Sequence, residues 1–218
     1  MLGATLQREN LIVNGGFEEW VPRTQVTANL LSRPRIKDLM VTPTDLWPKQ
    51  WILQQIIERD APPPGSNDVA LDETVAHSGK RSLRISNRTS KVITLAEYRT
   101  EYAVGTTALP TPIQPNRHYR LSWWVKGQDI IPGGAMMEGS AYFTKKDGKG
   151  AIVGIDYRDQ GIALAGTFDW QQRDITFITD AGAQWFTFTL QLRNTAGIVW
   201  YDDVALEDLG PAVVVETY

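Results

Sequence analysis

Apolar and polar residues alternate along several short segments of this chain, as expected for β-strands with one buried face. In residues 119–126, one face carries Tyr119, Leu121, Trp123 and Val125, and the other carries Arg120, Ser122, Trp124 and Lys126. Residues 185–193 repeat the alternation, with inward positions at Phe186, Phe188, Leu190 and Leu192, and Leu83 and Ile85 add a third inward pair. The pattern predicts an all-β protein, a two-sheet antiparallel β-sandwich (jelly roll) with long loop insertions.

Prolines and turn residues divide the chain between these segments. Residues 21–48 contain four prolines, which predicts a long ordered loop or an insertion, and residues 61–68 predict a second loop. The run from Trp51 to Ile57 is ambiguous, and we interpret it as a strand because it is rich in β-branched residues. Without an internal repeat, we expect an N-terminal lead over 1–9, one domain over 10–208 and a tail over 209–218, which is an extra edge strand or a linker.

Composition narrows the class of protein. A chain of 218 residues, 42% of them hydrophobic, can bury the core of one large β domain. Its net charge of −3 and scattered basic residues argue against nucleic-acid binding. We expect no membrane span, because no apolar run is long enough. Residues 1–9 lack the apolar core of a signal peptide, so we expect either that a signal has been removed or that the protein reaches its destination without one. The absence of cysteine excludes disulfides and thiolate metal sites, so the fold must be held together by packing or by an oxygen-ligated metal ion.

Three short motifs combine glycines, polar turns and carboxylates. They are Asn14-Gly15-Gly16-Phe17-Glu18, residues 77–85 (HSGKRSLRI) and residues 198–206 (IVWYDDVAL). Glu18 and an aspartate at 202 or 203 could join backbone carbonyls in the oxygen cage that calcium prefers. Alternatively, these carboxylates are ordinary strand-end residues that are solvated or paired with arginine.

The three motifs, in this order, resemble the calcium-containing β-jelly-roll carbohydrate-binding modules of the galactose-binding-domain-like group, which accompany xylanases and glucanases. The likeness extends to residues 115–126, to Asp169-Trp170 followed by Thr176-Phe177, and to residues 186–192, and so spans about Asn10 to Asp208. It implies a structural Ca²⁺ rather than a catalytic one. The insertion at 21–48 departs from the compact pattern of that group.

The resemblance also implies a ligand set for calcium. The carbonyls would come from Gly16, His77 and Lys80, and the carboxylates from Glu18 and Asp202. Asp203 would replace Asp202 if the strand register slips by one residue.

A sugar-binding surface needs aromatic faces for pyranose C–H groups and planar polar groups for hydroxyls. Trp124 and Trp185 fall on predicted outward faces. Their expected polar neighbours are Gln191, Arg193, Arg120 and Tyr142, and Trp47 and Trp51 mark a loop rim after the insertion. The alternative is that loops cover these aromatics or are anchored by them. We assign Trp123, Trp170 and Trp200 to the core.

Catalysis has little support in the sequence. The two histidines, His77 and His118, lie in no triad or metal motif, and adjacent carboxylates on a strand point to opposite faces. We therefore expect no catalytic residues and favour a non-catalytic module that binds a β-linked polysaccharide such as xylan or β-glucan. The alternative is a structural or adhesion subunit of a phage virion or cell-surface assembly, with possible oligomerisation; a jelly-roll lyase or hydrolase is a distant third. Either leading hypothesis places the protein outside the cell or on a particle surface.

Overall fold

Regular structure in the described part of the chain consists of β-strands. The computed structural model describes residues 8–22, 46–56, 67–87, 103–108, 111–135, 137–138, 164–186, 189–193 and 195–212. The strands are β1 (Trp20–Pro22), β2 (Leu46–Pro48), β3 (Trp51–Ile56), β4 (Asn67–Asp72), β5 (Ser82–Asn87), β6 (Ala103–Ala108), β7 (Thr111–Pro112), β8 (Arg117–Ala135), β9 (Met137–Glu138), β10 (Leu164–Ile178), β11 (Trp185–Phe186), β12 (Thr189–Arg193) and β13 (Gly197–Pro211).

Two larger sheets form the body of the fold. One has five strands in the order β10-β8-β13-β5-β4, and the other has four in the order β3-β6-β12-β9. Two short ribbons, β1-β2 and β11-β7, accompany them, and the strand pairs are antiparallel. The predicted all-β, antiparallel fold class is confirmed.

One core cluster takes its residues from both larger sheets. The five-stranded sheet contributes the predicted inward face of β8, where Tyr119, Leu121, Trp123 and Val125 are at most 1% exposed. The four-stranded sheet contributes Trp51, Leu190 and Leu192, which are fully buried. Alternation therefore identified the buried faces on β5, β8 and β12, because each of these strands has one side against the core.

Two tryptophans that we assigned to the core lie outside the main core cluster, and one of them is still buried. Trp200 is buried but faces away from the core cluster, because its register partners are Arg84 and Lys126. It donates its Nε1–H to Asp72 Oδ2 at 2.9 Å. Trp170 is half-buried beside His77 on the same outer side. The prediction for Trp170 was wrong, whereas Trp200 is buried as predicted, although its indole is held by a polar partner on the outer side of the sheet.

Other expectations for the chain's organisation have mixed outcomes. The strand expected at Trp51 is β3. Of the loop expected over 61–68, the last two residues belong to β4, which begins at Asn67, and residues 61–66 lie outside the described residues. The insertion starts and finishes in a ribbon in which Val21 pairs with Trp47, while residues 23–45 lie outside the described residues. The tail begins as a continuation of β13 to Pro211.

The start of the chain packs along β13. Leu11 N donates to Leu206 O at 2.9 Å, and Val204 N donates to Gly15 O at 3.0 Å. The Asn10 side chain joins this pairing by donating to Val204 O and accepting from Leu206 N. A methyl group at Gly15 would overlap the carbonyl of Val204, so only glycine permits this close approach. This pairing brings the first and last motifs together.

Candidate functional site

The middle motif forms a turn that is held by carboxylates from both ends of the chain. Asp202 Oδ2 accepts hydrogen bonds from the backbone N–H groups of His77 and Ser78, at 2.8 and 3.2 Å. Glu18 Oε1 accepts from the N–H groups of Lys80 and Arg81, at 2.8 and 3.0 Å. The turn is therefore fixed to the N-terminal segment and to β13 at once.

A third carboxylate, Asp72, holds the beginning of the same turn. Its Oδ1 accepts from the backbone N–H groups of Thr74 and Val75, at 2.8 and 3.1 Å, and its Oδ2 accepts from Trp200. Burial alone would raise the Asp72 pKa, but the hydrogen bonds from Trp200, Thr74 and Val75 hold it below its usual value. Sequence reasoning missed this residue, although an aspartate two positions before a threonine is a recognisable turn signal.

Asp202 is fully buried in an environment that disfavours its charge. Loss of water contact, with a smaller contribution from the neighbouring Asp203 carboxylate, raises its pKa to about 6 despite three backbone N–H bonds. No lysine or arginine within the described residues forms an ion pair with it. A cation close to Asp202 would offset the free-energy cost of burying its negative charge.

The side chains of His77 and Ser78, whose backbone N–H groups bind Asp202, also hold Asp203. Its Oδ2 lies 2.6 Å from His77 Nδ1, and its Oδ1 accepts from Ser78 Oγ at 2.7 Å. Its backbone has a φ of +46°, which non-glycine residues seldom adopt. The His77 ring stacks on Trp124, with centroids 3.7 Å apart and an interplanar angle of 15°, and meets the Trp170 ring at 67°.

Two glycines allow the motifs to approach. Gly79 has a φ of +61° and lies under Glu18, where a methyl group would overlap Oε1. A Cβ at Gly16 would lie 3.5 Å from Asp203 Oδ1 and 3.9 Å from Asp202 Oδ1, so its backbone passes beside both carboxylates. The hard oxygen donors and the uncompensated Asp202 charge suit a calcium ion.

The residues predicted to hold calcium are therefore neighbours in the fold: Gly16, Glu18, His77, Lys80, Asp202 and Asp203. Across the described residues, no group of three or more His, Asp or Glu side chains is arranged as a metal site on its own. Any calcium bound here would depend on backbone carbonyls for part of its ligand set, and the calcium site stays a prediction.

The residues predicted to bind sugar do not form one surface. Trp124 and Arg120 lie on the outer face of the five-stranded sheet, that is, the side away from the core cluster. His77 covers one face of Trp124, and Arg120 Nε donates to Glu207 Oε2 at 2.8 Å. Gln191 and Arg193 belong instead to β12 of the four-stranded sheet. Alternation along a strand predicted which of its two faces is buried, but it could not predict which strands share a sheet.

The remaining candidates are also scattered. Trp51 is fully buried, stacks at a tilt on Phe17 with centroids 4.8 Å apart and donates Nε1–H to Asn14 O, so it is a core residue and presents no face to a ligand. Trp47 lies in β2 and Trp185 in β11. Tyr142 lies outside the described residues.

Small residues occupy alternate positions of β6, an inner strand of the four-stranded sheet. Leu190 and Leu192 of β12 are buried, and Thr189, Gln191 and Arg193 alternate with them along the strand. The register sets these opposite Thr107, Gly105 and Ala103 of β6, and those in turn opposite Ile52, Gln54 and Ile56 of β3. We call this set of register partners the β6 trough, because Gly105 and Ala103 of β6 pair on both sides with larger residues: Gln54 and Ile56 of β3, and Gln191 and Arg193 of β12.

Comparison with known proteins shows a shared fold without a family. No protein-family model and no curated protein matches the sequence. The enzymatically active domain of tailspike protein 4 from bacteriophage CBA120 has a TM-score of 0.51 and 14% identity over 74% of this chain, which spans only 20% of that one. This likeness shows that the two share a fold.

Carbohydrate-binding modules are also among the similar structures. The CBM22-1 xylan-binding domain of Xyn10C from Paenibacillus barcinonensis gives a TM-score of 0.45 and 14% identity, covering 75% of this chain and 88% of that one. A family 16 carbohydrate-binding module gives a TM-score of 0.42 and 18% identity, covering 66% of this chain and 88% of that one.

Within the described residues, no helix has the length and apolar character to cross a membrane.

Proposed function

We propose that this protein is a non-catalytic module that binds a polysaccharide in the β6 trough. The observation that carries the proposal is the register of β3, β6 and β12, which puts Gly105 between Gln54 and Gln191. Small residues on an inner strand would leave room for an extended chain between its two neighbours. The amides beside it are suited to donate to and accept from sugar hydroxyls.

The proposed ligand is a β-linked glycan, with xylan and β-glucan as the first candidates. Arg193 is the register partner of Ala103, two residues from Gly105 along β6, and would add a planar guanidinium. Binding at a preformed surface would hold an attached or partner enzyme near its substrate at a raised effective concentration. The proposal places the protein outside the cell or on a particle surface.

We also propose that a structural calcium ion binds at the junction of the three motifs. Glu18 and Asp202 would supply carboxylate oxygens, and Gly16, His77 and Lys80 would supply carbonyls, with Asp203 beside them. Two features support this assignment: Asp202 is fully buried with a raised pKa, and the backbone of Gly16 passes close to both aspartates. The ion would supply the missing positive charge and join the chain's first and last motifs.

A second candidate is a subunit of a virion or surface assembly. The likeness to a domain of a phage tailspike supports it, since this fold also occurs within such a particle protein. A stable oligomer in size-exclusion chromatography, together with no retention by any glycan tested, would favour this candidate over the first.

Filling the β6 trough tests the proposed function. Gly105→Gln adds a side chain where the glycan would lie and should weaken binding by about tenfold or more through steric exclusion. Gln191→Ala removes a polar contact of up to about 1.5 kcal/mol and should weaken binding up to about tenfold. Affinity electrophoresis in gels with xylan or β-glucan, followed by calorimetry, measures the loss.

Gln172→Ala provides the matched control, because Gln172 is exposed and opposite Trp124 on the five-stranded sheet. It should bind as wild type does, and all three variants should keep the wild-type melting temperature within a few degrees. Wild-type affinity in Gly105→Gln would move the site away from the trough. A wild-type protein that binds no glycan on an array would end the carbohydrate proposal.

A further inference from the structure

We infer that the side chain of His77 is a positioning residue that fixes the Asp203 carboxylate beside Asp202 and thereby raises the affinity of the junction for calcium. The inference rests on the proposed calcium site and goes beyond it. That site uses only the backbone carbonyl of His77, whereas the structure gives its imidazole contacts of its own.

The imidazole of His77 is held by three neighbours. Its face stacks on Trp124, its ring meets Trp170 at a steep angle, and its Nδ1 lies 2.6 Å from Asp203 Oδ2. An ionised carboxylate only accepts hydrogen bonds, so Nδ1 is the donor. Three fixed contacts leave this ring little rotational freedom, and its donor therefore has a set direction.

A β-bulge supplies one of these neighbours, Trp170. The register of β10 on β8 pairs Phe168 with Gly127 and then Gln171 with Val125, so residues 169 and 170 share the single position opposite Lys126. Asp169 at this bulge accepts from Lys126 Nζ at 2.6 Å, while Trp170 reaches His77. Bulges redirect side chains in this way, and here the redirected side chain supports the imidazole.

The carboxylate that His77 contacts needs support. Asp203 has a φ of +46°, and its charge lies next to the buried Asp202 carboxylate. With Ser78 Oγ on Oδ1 and His77 Nδ1 on Oδ2, both Asp203 oxygens are bound, so the side chain has one orientation. Fixing two neighbouring carboxylates before the ion arrives reduces the cost of binding it, as hydrogen-bond partners of metal ligands generally do.

Two substitutions separate the ring from its donor. His77→Phe keeps a flat ring for Trp124 but has no donor for Asp203. His77→Asn keeps an N–H close to the position of Nδ1 but loses the stacking. Calcium affinity is measured by titration calorimetry, and the melting temperature of the calcium-free protein is measured in EDTA.

The expected result is a split between affinity and stability. His77→Phe should bind calcium roughly tenfold or more weakly while its calcium-free melting temperature stays near that of wild type. His77→Asn should keep near-wild-type calcium affinity, even if the lost stacking lowers its melting temperature. This rescue by the donor-retaining variant is what a purely packing role for His77 would not produce.

Two outcomes would overturn the inference alone: wild-type calcium affinity in His77→Phe, or an equal loss of affinity in both variants. A wild-type protein that binds no calcium would overturn the calcium site as well, so the two failures are distinguishable. Neither result bears on the β6 trough, which is tested separately with glycans.

Discussion

At the scale of single residues, two buried aspartates that hold the same turn have opposite acid–base behaviour. Asp72 is satisfied by an indole, a threonine and backbone donors, and its pKa is lowered. Asp202 is more deeply buried and has Asp203 beside it, and its pKa is raised to about 6. The residue type is the same, so the surroundings set the charge: donors favour the carboxylate, whereas burial and a like charge disfavour it.

The raised pKa of Asp202 predicts a stability change with pH. An unfolded aspartate has a pKa near 3.9, so the folded state holds this proton more tightly and is favoured by acid. The contribution is complete below about pH 4 and is lost as the pH rises through about 6. In EDTA, wild type should therefore gain up to about 3 kcal/mol relative to Asp202→Asn between pH 7 and pH 4.

Chemical denaturation of both proteins across this pH range measures the difference. The contribution of Asp72 to the pH dependence cancels in the comparison, because both proteins contain this residue. A constant gap between the two stability curves would show that Asp202 has an ordinary pKa in the fold.

At the scale of elements, the turn between β4 and β5 is ordered by acceptors that lie outside it. Its backbone donors at residues 77–78 and 80–81 point to Asp202 and Glu18. Gly79 between them has a φ of +61° and contacts Glu18. A short turn with its donors directed at two other segments cannot take this shape alone, so its conformation depends on the rest of the fold.

Gly79→Ala should destabilise the fold more than Gly166→Ala. Both glycines have positive φ, at +61° and +77°, so both substitutions carry a backbone cost of about 1 kcal/mol. Only the methyl group at Gly79 also displaces Glu18 from two backbone donors, which adds about 1 kcal/mol, whereas nothing lies within 4 Å of a Cβ at Gly166. Denaturant unfolding of both variants gives the difference.

A Glu18→Ala background is the control for this comparison. There, the extra cost of Gly79→Ala should disappear. If it persists, the cost comes from the backbone of the turn and not from Glu18.

At the scale of the whole molecule, the first and last motifs are joined across β13. Leu11, Gly15 and Asn10 pair with β13 through backbone and side-chain hydrogen bonds, and the carboxylate junction lies next to this pairing. An ion at the junction would therefore connect distant parts of the chain. Binding that occurs only in the native state stabilises it by mass action.

Removal of calcium should lower the melting temperature of the protein. At a free calcium concentration 100 times the dissociation constant, binding stabilises the fold by about 2.7 kcal/mol, which corresponds to about 5–10 °C for a chain of this size. Differential scanning fluorimetry with calcium and with EDTA measures the shift. Glu18→Gln should show little shift, and superimposable wild-type curves in the two conditions would exclude a stabilising ion.

The sequence by itself determined the β fold, the buried faces of β5, β8 and β12, and the three motifs themselves, whose meeting in space was expected only from the resemblance. These are short-range properties, because a period of two marks a strand's buried face and glycines mark close approaches. Tertiary structure alone decided that Arg120 and Gln191 lie on different sheets, that Trp51 is in the core and that Trp170 supports His77. Sheet order, bulges and covering loops are long-range features, and alternation along one strand carries no information about what lies beside that strand or over its outer face.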